Sequence, residues 1–149
     1  MIKRIFFPIL PQPNDTSCGP TCLQAIYQHF GDSISLDQVI QEIPQFQDGG
    51  TFSVVLGCHA LRRGYKATIY SYNLQVFDPT WFDLSPPQLA QKLEAQLAYK
   101  TDPRLRYVTQ STQEFITLGG KILFKDINHS MLRSPLKKNM PILTGLSAT

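Results

Sequence analysis

Residues Pro11 to Gly31, PQPNDTSCGPTCLQAIYQHFG, constrain this chain more than any other stretch, because they set a cysteine where a polar loop turns into a helix. Asp15, Thr16 and Ser17 offer capping oxygens, and Pro20 fits a first turn that needs no amide donor. Gly31 is the expected stop, and Leu23, Ile26, Tyr27 and Phe30 recur at helical spacing as the expected inward face. Cys18 then opens the helix. A thiol there meets the positive end of the backbone dipoles, which favours the thiolate, the nucleophilic form. Gln12 precedes it by six residues. Its side-chain amide can donate to an oxyanion beside Cys18, together with a backbone amide of the helix start.

Packing is the competing reading, since cysteine is among the most buried residue types. The flanks of Cys18 are polar and turn-like, and Gly19 and Pro20 leave little bulk around the sulfur. Cys22, one turn later, is therefore the expected packed cysteine.

Gln12, then Cys18-Gly19-Pro20, then Cys22-Leu23 at the start of an amphipathic helix resembles the papain-like cysteine peptidases. More narrowly it is similar to the bacteriocin-processing peptidases of double-glycine leaders. In that family a Gln, five residues and Cys-Gly-Pro/Ala open the central helix. The resemblance covers the chain up to Gly31. It implies an α+β, papain-like fold in one domain over 1–149, a bacterial, cytoplasmic thiol protease, and a peptide or protein substrate. By the resemblance Cys18 is the nucleophile and Gln12 the oxyanion donor, with no cofactor and no metal.

The family also needs a general-base histidine and an Asp or Asn to orient it. His29 lies eleven residues beyond Cys18 on the same helix, roughly 16 Å away at the helical rise, and geometry excludes it. His59 follows Cys58 beside Arg62 and Arg63 and reads as a helix-surface or interface histidine. His129 opens a later helix, whereas the family's histidine is strand-borne; it is the remaining candidate. The expectation is that 1–149 is the N-terminal portion of a longer catalytic domain, with the strands carrying the base absent. A catalytically silent peptide-binding module and a papain-like acyltransferase are the alternatives. A sheet lacking its following strands would expose an apolar edge, so self-association is expected.

The totals agree with one globular domain of 149 residues. A net charge of +3 is too mild to argue for nucleic acid. Three cysteines, with no metal-type Cys-x-x-Cys pair, argue for a reducing compartment. Cys18 and Cys22 share a helix face, but no third or fourth metal ligand has suitable spacing. Phosphate-loop and dinucleotide motifs are absent. Lys3 and Arg4 precede a short apolar run, Ile5 to Leu10, broken by Pro8; it reads as an N-terminal strand or packing arm, and no stretch approaches transmembrane length.

Beyond Gly31, a helix opened by a Ser35/Gln38 capping box is expected to bury Leu36, Val39, Ile40 and Ile43 and to end at Pro44. Gln45 to Gly50 is a loop with a Gly49-Gly50 turn. Thr51 caps a helix over Phe52 to Arg63, stopped by Gly64, with Val55, Leu56, Cys58 and Leu61 inward. Tyr65 to Asn73 reads as a strand, and Leu74 to Leu84 as an irregular aromatic segment whose Trp81 and Phe82 either line a substrate groove or, the favoured reading, plug the core. Ser85-Pro86-Pro87 starts a helix reaching about Tyr99, with Leu89, Ala90, Leu93 and Leu97 as its stripe. Asp102-Pro103 breaks the pattern. A helix over Thr109 to Leu118, a strand over Ile122 to Phe124, a helix over Asn128 to Asn139 disturbed by Pro135, and a buried strand over Met140 to Leu146 complete the expectation.

Overall fold

The computed structural model describes residues 6–46 and 49–145. Ile5, Gln47, Asp48 and Leu146, which enter the expected elements, lie outside them. The chain divides into two compact units, Met1–Thr51 with Asp126–Thr149, and Phe52–Lys125. It is a mixed α and β protein with a small parallel sheet.

In the first unit, α1 (Cys18–His29) packs against α2 (Leu36–Glu42). Gly31, at φ +81°, turns the chain out of α1. The Asp32 N–H donates to Tyr27 O and the Gly31 N–H to Gln28 O, so the last carbonyls are satisfied. Leu23 and Tyr27 are buried as expected, but Ile26 is half-buried and Phe30 is exposed. Thr21, Gln24 and Ala25 take their places. Polar side chains tolerate this face because they find backbone acceptors: Thr21 Oγ1 donates to Ser17 O and Gln24 Nε2 to Ile34 O. A reading by apolar spacing alone misses that. In α2, Ser35 Oγ accepts from the Gln38 N–H. The reciprocal half of the box is not made, because Gln38 Nε2 donates to Glu42 instead. Val39 and Ile43 are fully buried, with Leu36 and Ile40 half-buried.

Asn128 caps α6 (His129–Lys137) through its side-chain oxygen, which accepts from the Met131 N–H. Pro135 lies inside the helix, and Asn139, at φ +59°, ends it. The expected strand after Asn139 does not form over 140–145. Both strands among the described residues belong to the second unit and pair with each other, so this apolar run has no ladder to join. The N-terminal run is likewise irregular over 6–10; only Phe7 is half-buried, its ring beside His29 at 4.9 Å.

The second unit runs α3 (Ser53–Arg62), β1 (Thr68–Tyr70), a short 3-10 turn (Pro79–Trp81), α4 (Pro86–Leu97), α5 (Pro103–Thr117) and β2 (Lys121–Leu123). β1 and β2 pair in parallel, with Thr68 opposite Lys121, Ile69 opposite Ile122 and Tyr70 opposite Leu123. α5 packs against both α3 and α4. The core comprises Val54, Val55, Leu56, Cys58, Val76, Phe77, Leu89, Leu93, Val108 and Phe115. α3 starts one residue late, with Phe52 rather than Thr51 at its cap. α5 starts six residues before Thr109, since the Asp102 carboxylate accepts from the Arg104 and Leu105 N–H groups and Pro103 takes the first helical position. The Asp-Pro pair is thus a helix start and not merely a break. Ladder pairing trims the long strand expected over Tyr65–Asn73 to three residues. Trp81 and Phe82 are half-buried rather than core plugs; Phe82 stacks on Phe124 at 4.3 Å, and Val76 and Phe77 supply the buried part of that segment.

Cys58 is 2% exposed and its Sγ lies 3.6 Å from Ser111 O. Burial, with a smaller push from Glu114 that Arg62 opposes, raises its thiol to about 11. A folded value above the unfolded one gives stability that is full below about pH 9 and is lost as pH rises towards 11. Cys58→Ala removes that slope. Urea unfolding between pH 8.5 and 11 should show the parent losing about 2 kcal/mol more than the variant; equal slopes would refute the burial account.

Candidate functional site

The turn before α1 is built by Asn14. Its Oδ1 accepts from the Thr16 N–H at 3.0 Å and from Ser17 Oγ at 2.9 Å, and lies 2.9 Å from Thr16 Oγ1. Ser17, fully buried, turns its hydroxyl back to Asn14 and not forward into the helix. Ser17, at the N-cap position, therefore makes no side-chain cap, and among the described residues the caps expected from Asp15, Thr16 and Ser17 are not made. The turn is braced from the other side by Gly49, whose φ of +81° and lack of a side chain allow close approach; a Cβ there would lie 2.6 Å from Thr16 Cγ2. Asn14 was missed as the organiser, although an Asn two and three residues before hydroxyl side chains is a side-chain turn signal.

This arrangement leaves Cys18 as the first residue of a 12-residue helix with its side chain exposed. The N–H groups of an opening turn face outward and suit an anion, the more so where no side chain occupies them. Cys22, one turn later, is also exposed, contrary to the expected packing. The buried residues of α1, Pro20, Thr21, Leu23, Gln24, Ala25 and Tyr27, fill one arc of the helix, and positions 18 and 22 fall just outside it. Partial covering, and then the neighbouring Cys18, push the Cys22 thiol above the ordinary range. Gln12 lies exposed in the loop ahead of the Asn14 turn.

The histidines take three different places. His29 sits in the last turn of α1, with Nε2 3.1 Å from Asn139 O and its ring against Phe7 and Phe30. That is a bracing role at the far end of the helix from Cys18. His59 is 5% exposed within α3, which corrects its reading as a surface residue. Its neighbours in the helix, Val55, Leu56 and Cys58, carry it inward. His129 is the exposed first residue of α6. Among the described residues no group of three or more His, Cys, Asp or Glu is placed to hold a metal ion, and no helix is long and apolar enough to cross a membrane.

Chemically, the arrangement offers an accessible thiol on the first turn of a helix whose N-cap side chain does not cap it, and a second exposed thiol one turn away. No protein-family model matches this sequence, and neither the curated proteins nor the solved structures include a match to it.

Proposed function

We propose that the chain is a papain-like cysteine peptidase module that cleaves a peptide bond through a thioester at Cys18. The observation that carries this reading is the exposed thiol on the residue opening α1, where the N-cap residue Ser17 makes no side-chain cap. The thiolate attacks the scissile carbonyl carbon, and the negative charge moves to the carbonyl oxygen. Backbone N–H groups of the opening turn and the Gln12 amide receive that oxyanion. The base that took the Cys18 proton returns it to the amine as collapse expels it, and then draws a proton from the water that hydrolyses the thioester. His129 is the candidate base within the first unit.

Two measurements test this. Per-residue alkylation by iodoacetamide, followed by mass spectrometry across pH, should show Cys18 reacting faster than Cys22 and Cys58. A fluorogenic peptide ending in Gly-Gly should be hydrolysed by the parent and not by Cys18→Ala, while Gln12→Ala lowers kcat by about 10²–10³. His129→Ala with lost hydrolysis and unchanged folding would assign the base to α6. If Cys18 alkylates no faster than Cys58, the nucleophile assignment fails. An amide product outpacing hydrolysis on addition of an amine would move the reading to acyl transfer.

A further inference from the structure

α6 is sharply two-sided, yet none of its residues is buried. At 100° per residue, Met131, Leu132, Pro135 and Leu136 fall on one side, and Ser130, Arg133, Ser134 and Lys137 on the other. Met131 and Pro135 are the half-covered part of the apolar side. Leu132 and Leu136 remain 41% and 40% exposed. Around the helix, Leu132, Leu136, His129, Arg133 and Lys137 follow one another over roughly 140°, so the open leucines border directly on the cations. Beyond the helix, Met140, Ile142 and Leu143 are exposed as well.

Charge singles out the same segment. No acidic residue follows Asp126, while Arg133, Lys137 and Lys138 do. The 11 other basic residues of the chain match its 11 acidic ones, so these three cations equal the entire net charge of +3. Arg133, Lys137 and Lys138, with Ser130 and Ser134, line one surface depression. The C-terminal end of α6 is held, since the Met140 N–H donates to Pro135 O and His29 Nε2 meets Asn139 O. The His29 contact ties this end of the helix to α1.

We propose that α6 is a docking surface for an anionic lipid bilayer. Apolar side chains bordered by cations suit the boundary between acyl chains and negatively charged headgroups: the leucines enter the boundary while Arg and Lys reach the phosphates. A purely apolar protein partner would leave the cations unmatched. A bilayer of phosphatidylserine and phosphatidylcholine satisfies both faces.

The test is co-sedimentation of the whole chain with vesicles of either 30% phosphatidylserine in phosphatidylcholine or phosphatidylcholine alone. Binding to the anionic vesicles at 100 mM salt is expected, with at least tenfold weakening at 500 mM salt. Arg133→Ala/Lys137→Ala/Lys138→Ala and, separately, Leu132→Ser/Leu136→Ser should each weaken it at least tenfold. Circular dichroism of both variants checks that they fold. Equal binding to neutral vesicles, no binding to anionic ones, or binding unchanged in the folded cation variant would overturn the proposal. So would a dimer, seen by light scattering, that Leu132→Ser/Leu136→Ser dissociates in a chain that ignores vesicles, since the face would then belong to a second copy. These outcomes do not depend on Cys18 chemistry.

Discussion

Phe115→Ala is expected to cost the Phe52–Lys125 unit about 3–5 kcal/mol, the range for emptying a buried aromatic site. Phe115 is 0% exposed, on the α5 face that meets α3. Its ring lies against Gly57 of α3 and Gly120 of the turn into β2, where an added Cβ would come within 2.5 Å and 2.4 Å of ring carbons. Backbone therefore closes on the ring from two elements, and neither can collapse into the space without moving its helix or strand. Natural domains have only about 5–15 kcal/mol in hand. Thermal unfolding should show the midpoint for this unit falling by more than about 10 °C. Phe115→Leu, which keeps most of the volume, should fall by less than half as much. An unchanged midpoint in Phe115→Ala would remove the ring from the core.

The second large effect reverses sign with context. Gly57 is inside α3, where helix propensity alone favours alanine by about 1 kcal/mol. Against that, its Cβ would meet Phe115 Cε2 at 2.5 Å and Cδ2 at 2.9 Å. Overpacking of this kind costs about 1–3 kcal/mol, so Gly57→Ala should be destabilising in the parent chain. In a Phe115→Leu or Phe115→Ala background the obstacle is gone, and the same substitution should stabilise. Gly120→Ala, whose Cβ would meet three ring carbons at 2.4–2.6 Å, should couple to position 115 in the same direction. Urea midpoints for the four corners of each cycle decide it. Additive changes would show that the ring and the glycines act independently.

The parts of the chain that were legible in sequence are those where local chemistry decides. Cys18 as the first helical residue, Gly31 and Gly64 as left-handed exits, Ser35 as a cap and Ser85-Pro86-Pro87 as a helix start follow from single-residue preferences, and the structure has each of them. Alternation of apolar and polar residues was less reliable. Thr21 and Gln24 are buried with donors accepted by Ser17 O one turn back and by Ile34 O beyond the helix, and no periodicity of hydrophobicity records that. Strand length was illegible for a related reason. Thr68 to Tyr70 become a strand only where Lys121 to Leu123 lie alongside, and the apolar run Met140 to Leu143 has no such neighbour among the described residues. Around Cys18, the exposure of the thiol was legible from its polar flanks. The missing cap was not, since two of the three side chains that advertise a cap, Thr16 and Ser17, turn their hydroxyls to Asn14 instead.

The parallel pairing of β1 with β2 has a kinetic consequence. Thr68 and Lys121 face each other across fifty-three positions of chain, and a parallel pair admits no short hairpin. The α4–α5 hairpin, by contrast, needs only the few residues between Leu97 and Pro103 to turn. Closing the longer loop costs entropy before any ladder bond repays it. The helices are therefore the early framework of this unit and the ladder its late clasp. Its speed of folding is governed by how soon the two strand ends meet, and not by how readily any one helix winds.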